Sequence, residues 1–118
     1  GLEVAAAPTD TAAVDVAQPC LEVAERLAFG LRRRGRLQEA VVWGERALVG
    51  RERWLGPFDQ DTLSSHSTLA EILESAGRLE EAIAAMHKAL LGRRQTYGPK
   101  HRATLLSEVK LGAWLRSA

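Results

Sequence analysis

The chain has 118 residues, of which 46% are apolar and 26% charged, and its formal net charge is +1. That length holds one small domain with a single core, and the balance of apolar to charged residues excludes an intrinsically disordered chain. The near-neutral charge excludes a general polyanion binder, the single Cys20 excludes an intrachain disulfide, and no apolar run reaches the roughly 20 residues of a bilayer span.

The opening "GLEVAAAPTD" carries Glu3 and Asp10 and lacks a basic flank, which makes a poor signal peptide and leaves a cytoplasmic protein, or a piece of one, as the expectation. Residues 1–18 form a leader. Pro8 and the following "TDTAAVDVAQ" open a short helix packed on the next segment, or the leader is flexible; the sequence leaves both open. From residue 19 the apolar spacing turns helical, with Leu21, Leu27, Ala28 and Leu31 predicting a helix over 19–34. Gly35 ends it, and a second helix is expected over 37–54, closed by Gly56-Pro57 because proline cannot continue a helix. Asp59 is a good N-cap for a third helix over 60–76, whose apolar stripe is Leu63, Leu69, Ala70 and Leu73. Gly77 then plays the part of Gly35, where a helix C-terminus needs a residue tolerant of positive φ. Leu79, Ala82, Ile83, Met86, Ala89 and Leu90 mark a fourth helix over 79–96, closed by Gly98-Pro99, and a fifth follows His101 over 102–117. Gly30 and Gly44 fall inside helices at a cost of about 1 kcal/mol each relative to Ala, so the first copy is the softer one.

These elements are copies. Residues 35–76 laid over 77–118 share 18 of 42 positions without a gap, beginning with "GRLQEA" over "GRLEEA". A partial third copy precedes them, with Leu21, Leu27, Ala28 and Leu31 over Leu63, Leu69, Ala70 and Leu73. A fixed period of this length marks stacked units, each too small to bury its own apolar face and each covered by its neighbour.

The small residues Ala28, Ala70 and Gly112, each after a Leu, pair with "G-R-L-x-E-A" and with the alanines Ala40 and Ala47, then Ala82 and Ala89. This pattern resembles the tetratricopeptide repeat. The 42-residue period and the "L-G-P-x-x-x-x-T-L" link at 55–63 resemble its kinesin-light-chain variety, over residues 19–118. The resemblance implies an all-α fold, a right-handed α-solenoid of antiparallel helix hairpins with about two and a half repeats. It also implies a concave groove lined by the first helix of each repeat. The family commonly carries Asn before the Leu-small pair, where it clamps a peptide backbone. Here those positions are Arg26, Thr68 and Lys110, a departure from the family's clamp pattern.

Nothing in the pattern asks for chemistry. Cys20 lies near a helix start, where a thiolate is favoured, but Thr62 and Thr104 fill its slot in the other copies, which reads as a small packing residue. His66, His87 and His101 fall on a first helix, a second helix and a loop with no ligand-type partner at i+4, and the glycines sit at repeat turns rather than in a phosphate loop. No catalytic residue, metal or cofactor is therefore expected, and the chain is not read as an enzyme. The run "RRRGR" at 32–36 complements a helix C-terminus, at about 0.3–1 kcal/mol per cation. Its other reading is a patch for phosphate or an acidic partner; without interleaved aromatics, nucleic acid is not expected.

Trp43 reads as core, and Trp54 lies near the end of its helix. Trp114 has no following second helix to cover it, so the last helix should present an apolar face for self-association, a homodimer for instance, or for further chain. By the resemblance, the outward positions of the first helices include Glu25, Arg26, Phe29, Arg33, Ser67, Thr68, Glu71, Glu74 and Lys110. Of these, Arg26, Phe29, Arg33, Thr68, Glu71 and Lys110 are the expected partner-binding residues, and the expected ligand is a protein or peptide segment with a charged group and an apolar anchor. The rival expectation is an oligomerisation or spacer module. In either case the chain reads as part of a larger regulatory or scaffold protein that touches neither membrane nor nucleic acid.

Overall fold

The computed structural model describes residues 18–117, and in them the chain forms five α-helices and no strand: α1 (Gln18–Arg33), α2 (Leu37–Leu55), α3 (Gln60–Ser75), α4 (Leu79–Tyr97) and α5 (Arg102–Ser117). Each observed end lies within one residue of the position expected from the glycines, prolines and apolar stripes. The two readings of the leader fall on residues 1–17, which lie outside the described residues, as does the side chain of Cys20. Each helix packs on the next, so the hairpins α1–α2 and α3–α4 stack and α5 begins a third.

The turn inside each hairpin is built the same way twice. Gly35 and Gly77 sit at φ 81° and 80°, the left-handed region that costs a side chain dearly. That conformation lets the Arg36 and Arg78 N–H groups reach back to the carbonyls of Leu31 and Leu73, both at 2.9 Å. The glycine N–H groups bond Arg32 and Glu74 at 3.0 and 3.1 Å, which completes a Schellman cap on α1 and on α3. Arg36 and Arg78 then fork onto Glu39 and Glu81 one turn ahead, with Nε to carboxylate distances of 2.6 Å in both. At the other turn, Asp59 caps α3 as expected, its Oδ1 accepting from the Asp61 N–H at 2.9 Å. His101 does the same for α5, with Nδ1 accepting from the Ala103 N–H at 3.0 Å.

Six alanines are fully buried: Ala28 and Ala70 on α1 and α3, and Ala40, Ala47, Ala82 and Ala89 on α2 and α4. They are the positions at which paired helices approach most closely, so any larger side chain would push the backbones apart. A second close approach was not foreseen from the sequence. A Cβ built on Gly50 would lie 2.4 Å from Leu21 Cδ2, and one on Gly92 would lie 2.4 Å from Leu63 Cδ2. In both hairpins a leucine of the first helix occupies the space a glycine leaves on the second.

Burial departs from the repeat pattern, or refines it, at three positions. Leu27, which the copies align with Leu69, is 41% exposed while Leu69 is 6% exposed. Leu69 is covered by α2, where its Cδ1 would lie 3.2 Å from a Cβ on Gly44. No described helix precedes α1 to do the same for Leu27. Trp43 is only half-buried against the core, with the Arg46 guanidinium 5.0 Å from its ring centroid. Trp114 also packs against the core, and the exposed apolar face of α5 is carried instead by Leu105, Leu106, Val109 and Leu115.

Candidate partner-binding face

The first helices α1, α3 and α5 are tied side by side by a polar ladder. Arg32 on α1 donates from Nε to Ser75 Oγ at 3.0 Å and holds Nη1 3.7 Å from Glu71 Oε1, both on α3. The other oxygen of Glu71 accepts from Lys110 Nζ on α5. Glu71 and Lys110, two of the expected partner-binding residues, are therefore engaged with each other. Arg32, a cation in the last turn of α1, supplies the rung to that helix.

The other four fall into two groups. Arg26, Phe29 and Arg33 are exposed on α1, with Phe29 at 38%. Arg26 and Arg33 stand three residues before and four after it, so all three share one side of the helix. Thr68, by contrast, is only 9% exposed, although it occupies the same repeat position as the open Arg26 and Lys110. The reason is its place in the stack: α3 has neighbours on both sides in α2 and α4, whereas α1 and α5 stand at the ends of the described chain. Ser67 is half-buried and donates to Met86 Sδ at 3.8 Å, while Glu74 is exposed.

Glu25, expected to face outward, is instead drawn into a buried triad. Arg51, 6% exposed, donates from Nη1 to Glu25 Oε1 at 2.5 Å and to Ser65 Oγ at 2.9 Å. Ser65 Oγ in turn donates to Glu25 Oε2 at 2.9 Å, so the carboxylate is satisfied from both sides and α1, α2 and α3 are locked together. One repeat later Arg93 Nη1 donates to Ser107 Oγ at 2.7 Å, and Ser107 donates onward to the Ala103 carbonyl at 3.1 Å. Arg93 is half-buried and borders a cleft of about 230 Å³ with Gln60, Ser64, Tyr97, His101 and Ala103. Burial pushes its guanidinium below the ordinary arginine range, partly offset by Tyr97 and Glu71. Neither arginine stands out in its own stretch of sequence. The signal that would have found them is the recurrence of Arg51/Ser65 as Arg93/Ser107 at the 42-residue period.

His66 is the other buried polar group between hairpins. Its Nε2 lies 3.4 Å from Glu52 Oε2, and its Nδ1 has no hydrogen-bond partner. Burial pushes its pKa down, against the opposing pull of Glu52. The hydroxyls of Thr62 and Thr104, in the repeat slot of Cys20, are buried and likewise unpartnered. Among the described residues no group of three or more His, Cys, Asp or Glu side chains is placed to hold a metal, and no described helix is long and apolar enough to cross a membrane.

Comparison with known proteins agrees with this architecture. No curated protein matches the chain. Among solved structures, it is similar to the crystal structure of nearly identical TPR-like repeats of a candidate kinesin light chain from Podosopora anserina, at 22% identity and a TM-score of 0.76. The match covers 86% of this chain and 48% of the other, so this chain spans about half of that one, and the likeness is one of fold. The Tetratricopeptide repeat family profile matches residues 19–90 and again 61–118. Together these matches cover the whole stack of hairpins from α1 to α5, and the chain belongs to the tetratricopeptide repeat family.

Proposed function

We propose that this chain is a non-catalytic interaction module that binds a protein segment on the face shared by α1, α3 and α5, within a larger regulatory or scaffold protein. The observation that carries this reading is the open group on α1, an exposed aromatic ring with an arginine about one turn to either side. Phe29 offers an apolar seat, and Arg26 and Arg33 have no ion-pair partner among the described residues, so the segment that fits places a hydrophobic side chain between acidic ones. Glu71 and Lys110 act as a clamp between first helices and hold the face in shape.

A library of displayed random peptides selected on the protein tests this directly. Clones enriched on the wild type should combine an apolar residue with nearby Asp or Glu. They should lose at least tenfold in affinity on the double variant Arg26→Ala, Phe29→Ala, whose thermal melt stays unchanged. Enriched clones that bind the double variant equally well would refute the assignment of this face.

One observation favours a second reading. Leu105, Leu106, Val109 and Leu115 leave α5 with exposed apolar surface, which supports association through that helix. Light scattering over a range of concentrations separates the two: a dimer broken by Leu106→Lys, Val109→Lys belongs to the second reading, and a monomer with an intact peptide site to the first.

A further inference from the structure

Arg51 and Arg93 occupy the same repeat position, and each donates to the serine of the following first helix, Ser65 or Ser107, at 2.9 and 2.7 Å. They differ in what else they hold. Arg51 has the Glu25 carboxylate, which accepts from the guanidinium through one oxygen and from the Ser65 hydroxyl through the other. In the next hairpin the position of Glu25 is taken by Ser67, a side chain without charge that turns to Met86. Arg93 makes no ion pair among the described residues. Glu71 acts on it through space, but both Glu71 oxygens are already held by Arg32 and Lys110. Arg93 thus has lost part of its water without gaining the counter-charge its counterpart has, an arrangement that disfavours the empty state.

The site is also open. Arg93 borders the cleft of about 230 Å³, and Gln60, Ser64, Tyr97 and His101 line it with further polar groups. Tyr97 and His101 are stacked with ring centroids 4.6 Å apart, which gives that wall a fixed shape. The first hairpin shows, within the same molecule, which group an arginine and a serine so placed bind: a carboxylate, which accepts once from each. In the second hairpin the buried Ser107 hydroxyl donates instead to the Ala103 carbonyl and must turn from it to do the same. We infer that Arg93 and Ser107 form a docking point for a carboxylate carried by the bound partner segment, which supplies from outside what Glu25 supplies from within. This inference shares with the proposed function the idea of a protein partner, but it depends on none of Arg26, Phe29 or Arg33.

The test follows the Arg93 side-chain Nε–H resonance by NMR during titration with three short peptides. Acetyl-Ala-Glu-Ala-amide carries a side-chain carboxylate, acetyl-Ala-Ala-Ala with a free C-terminus carries a main-chain one, and acetyl-Ala-Gln-Ala-amide carries none. A saturable shift with either carboxylate peptide, at least tenfold stronger than with the Gln peptide, supports the docking point, and the relative strength of the two identifies a side chain or a chain end as the source. Arg51, already paired, should not respond. Ser67→Glu, which installs the missing carboxylate in place, should weaken the response at least tenfold, and Ser107→Ala should weaken it several-fold should Ser67→Glu fail to fold. Equal shifts with all three peptides, a response untouched in the folded variants, or a shift with inorganic phosphate alone would overturn the inference. The double variant Arg26→Ala, Phe29→Ala should leave the Arg93 titration as it is, so failure here and failure of the α1 face are read separately.

Discussion

The contact between α2 and α3 and the contact between α4 and α5 use the same repeat positions, yet the carboxylate stands on opposite sides of them. Glu52 faces His66 at 3.4 Å in the first, and Arg94 faces Glu108 at 2.9 Å in the second. What does not change is the fit inside each hairpin, where Leu21 meets Gly50 and Leu63 meets Gly92 in the same way, and where the alanines on α2 and α4 are fully buried at equivalent positions. The difference follows from what each kind of contact is worth. A half-exposed ion pair contributes about 0–1 kcal/mol and tolerates replacement by another pair of either polarity. A closely packed leucine has no such freedom, because overpacking costs about 1–3 kcal/mol and a cavity costs more. Repeats of this kind are therefore alike in volume and free to differ in charge, and the specific properties of the molecule should be sought where the copies disagree.

The same comparison separates positions that look alike in sequence but stand differently in the stack. Leu69→Asp places a carboxylate in the core, where removing the leucine alone costs about 2–5 kcal/mol and the buried charge adds to it. A domain of this size has about 5–15 kcal/mol in all, so the expected result is the loss of a cooperative melt by circular dichroism. Leu27→Asp, at the equivalent position on the more exposed side of α1, should cost only about 1–2 kcal/mol and leave a cooperative melt. Equal damage from the two would mean that Leu27 is covered after all.

A smaller effect sharpens the account of the glycines. An alanine at Gly92 must displace Leu63, at about 1–3 kcal/mol, and recovers about 1 kcal/mol of helix propensity. The net expectation is a melting temperature lowered by several degrees. At Gly30 a Cβ meets nothing within 4 Å, so alanine there should stabilise α1 by about 1 kcal/mol and raise the melting temperature. Stabilisation by Gly92→Ala would show that Leu63 swings aside freely and that the close approach is not needed.

Most of the fold could be read from the sequence because its determinants are local. The glycines that allow positive φ, the prolines that end helices, the Asp59 cap and the 42-residue recurrence of Leu and Ala are all visible in a single line of letters. The candidate site was less legible. Arg26 and Thr68 occupy one repeat position and differ only in whether another hairpin lies alongside, which no local pattern records. Glu25 and Glu71 looked like free surface charges because their partners Arg51 and Lys110 are 26 and 39 residues away in the chain. Arg93 stood out only when the two hairpins were compared and one was found to lack a carboxylate the other possesses.

The histidine in the first contact also gives it a response to acid. His66 is held neutral chiefly by burial, with Lys88 acting in the same sense and Glu52 opposing both, so its pKa in the folded protein lies below the ordinary 6.5. As pH falls below about 6.5 the unfolded chain takes up a proton that the folded chain resists, and stability declines until the folded pKa is reached. The equivalent pair between α4 and α5, Arg94 and Glu108, contains no histidine. Thermal melts between pH 7.5 and 5.5 should therefore show a loss of stability in the wild type that is reduced in His66→Gln, whose side chain does not titrate. The effect is modest, because a single partly opposed shift changes stability by only about 1.4 kcal/mol per pKa unit. A slope of the same size in His66→Gln would transfer the acid response to other groups and leave the two contacts alike in this respect.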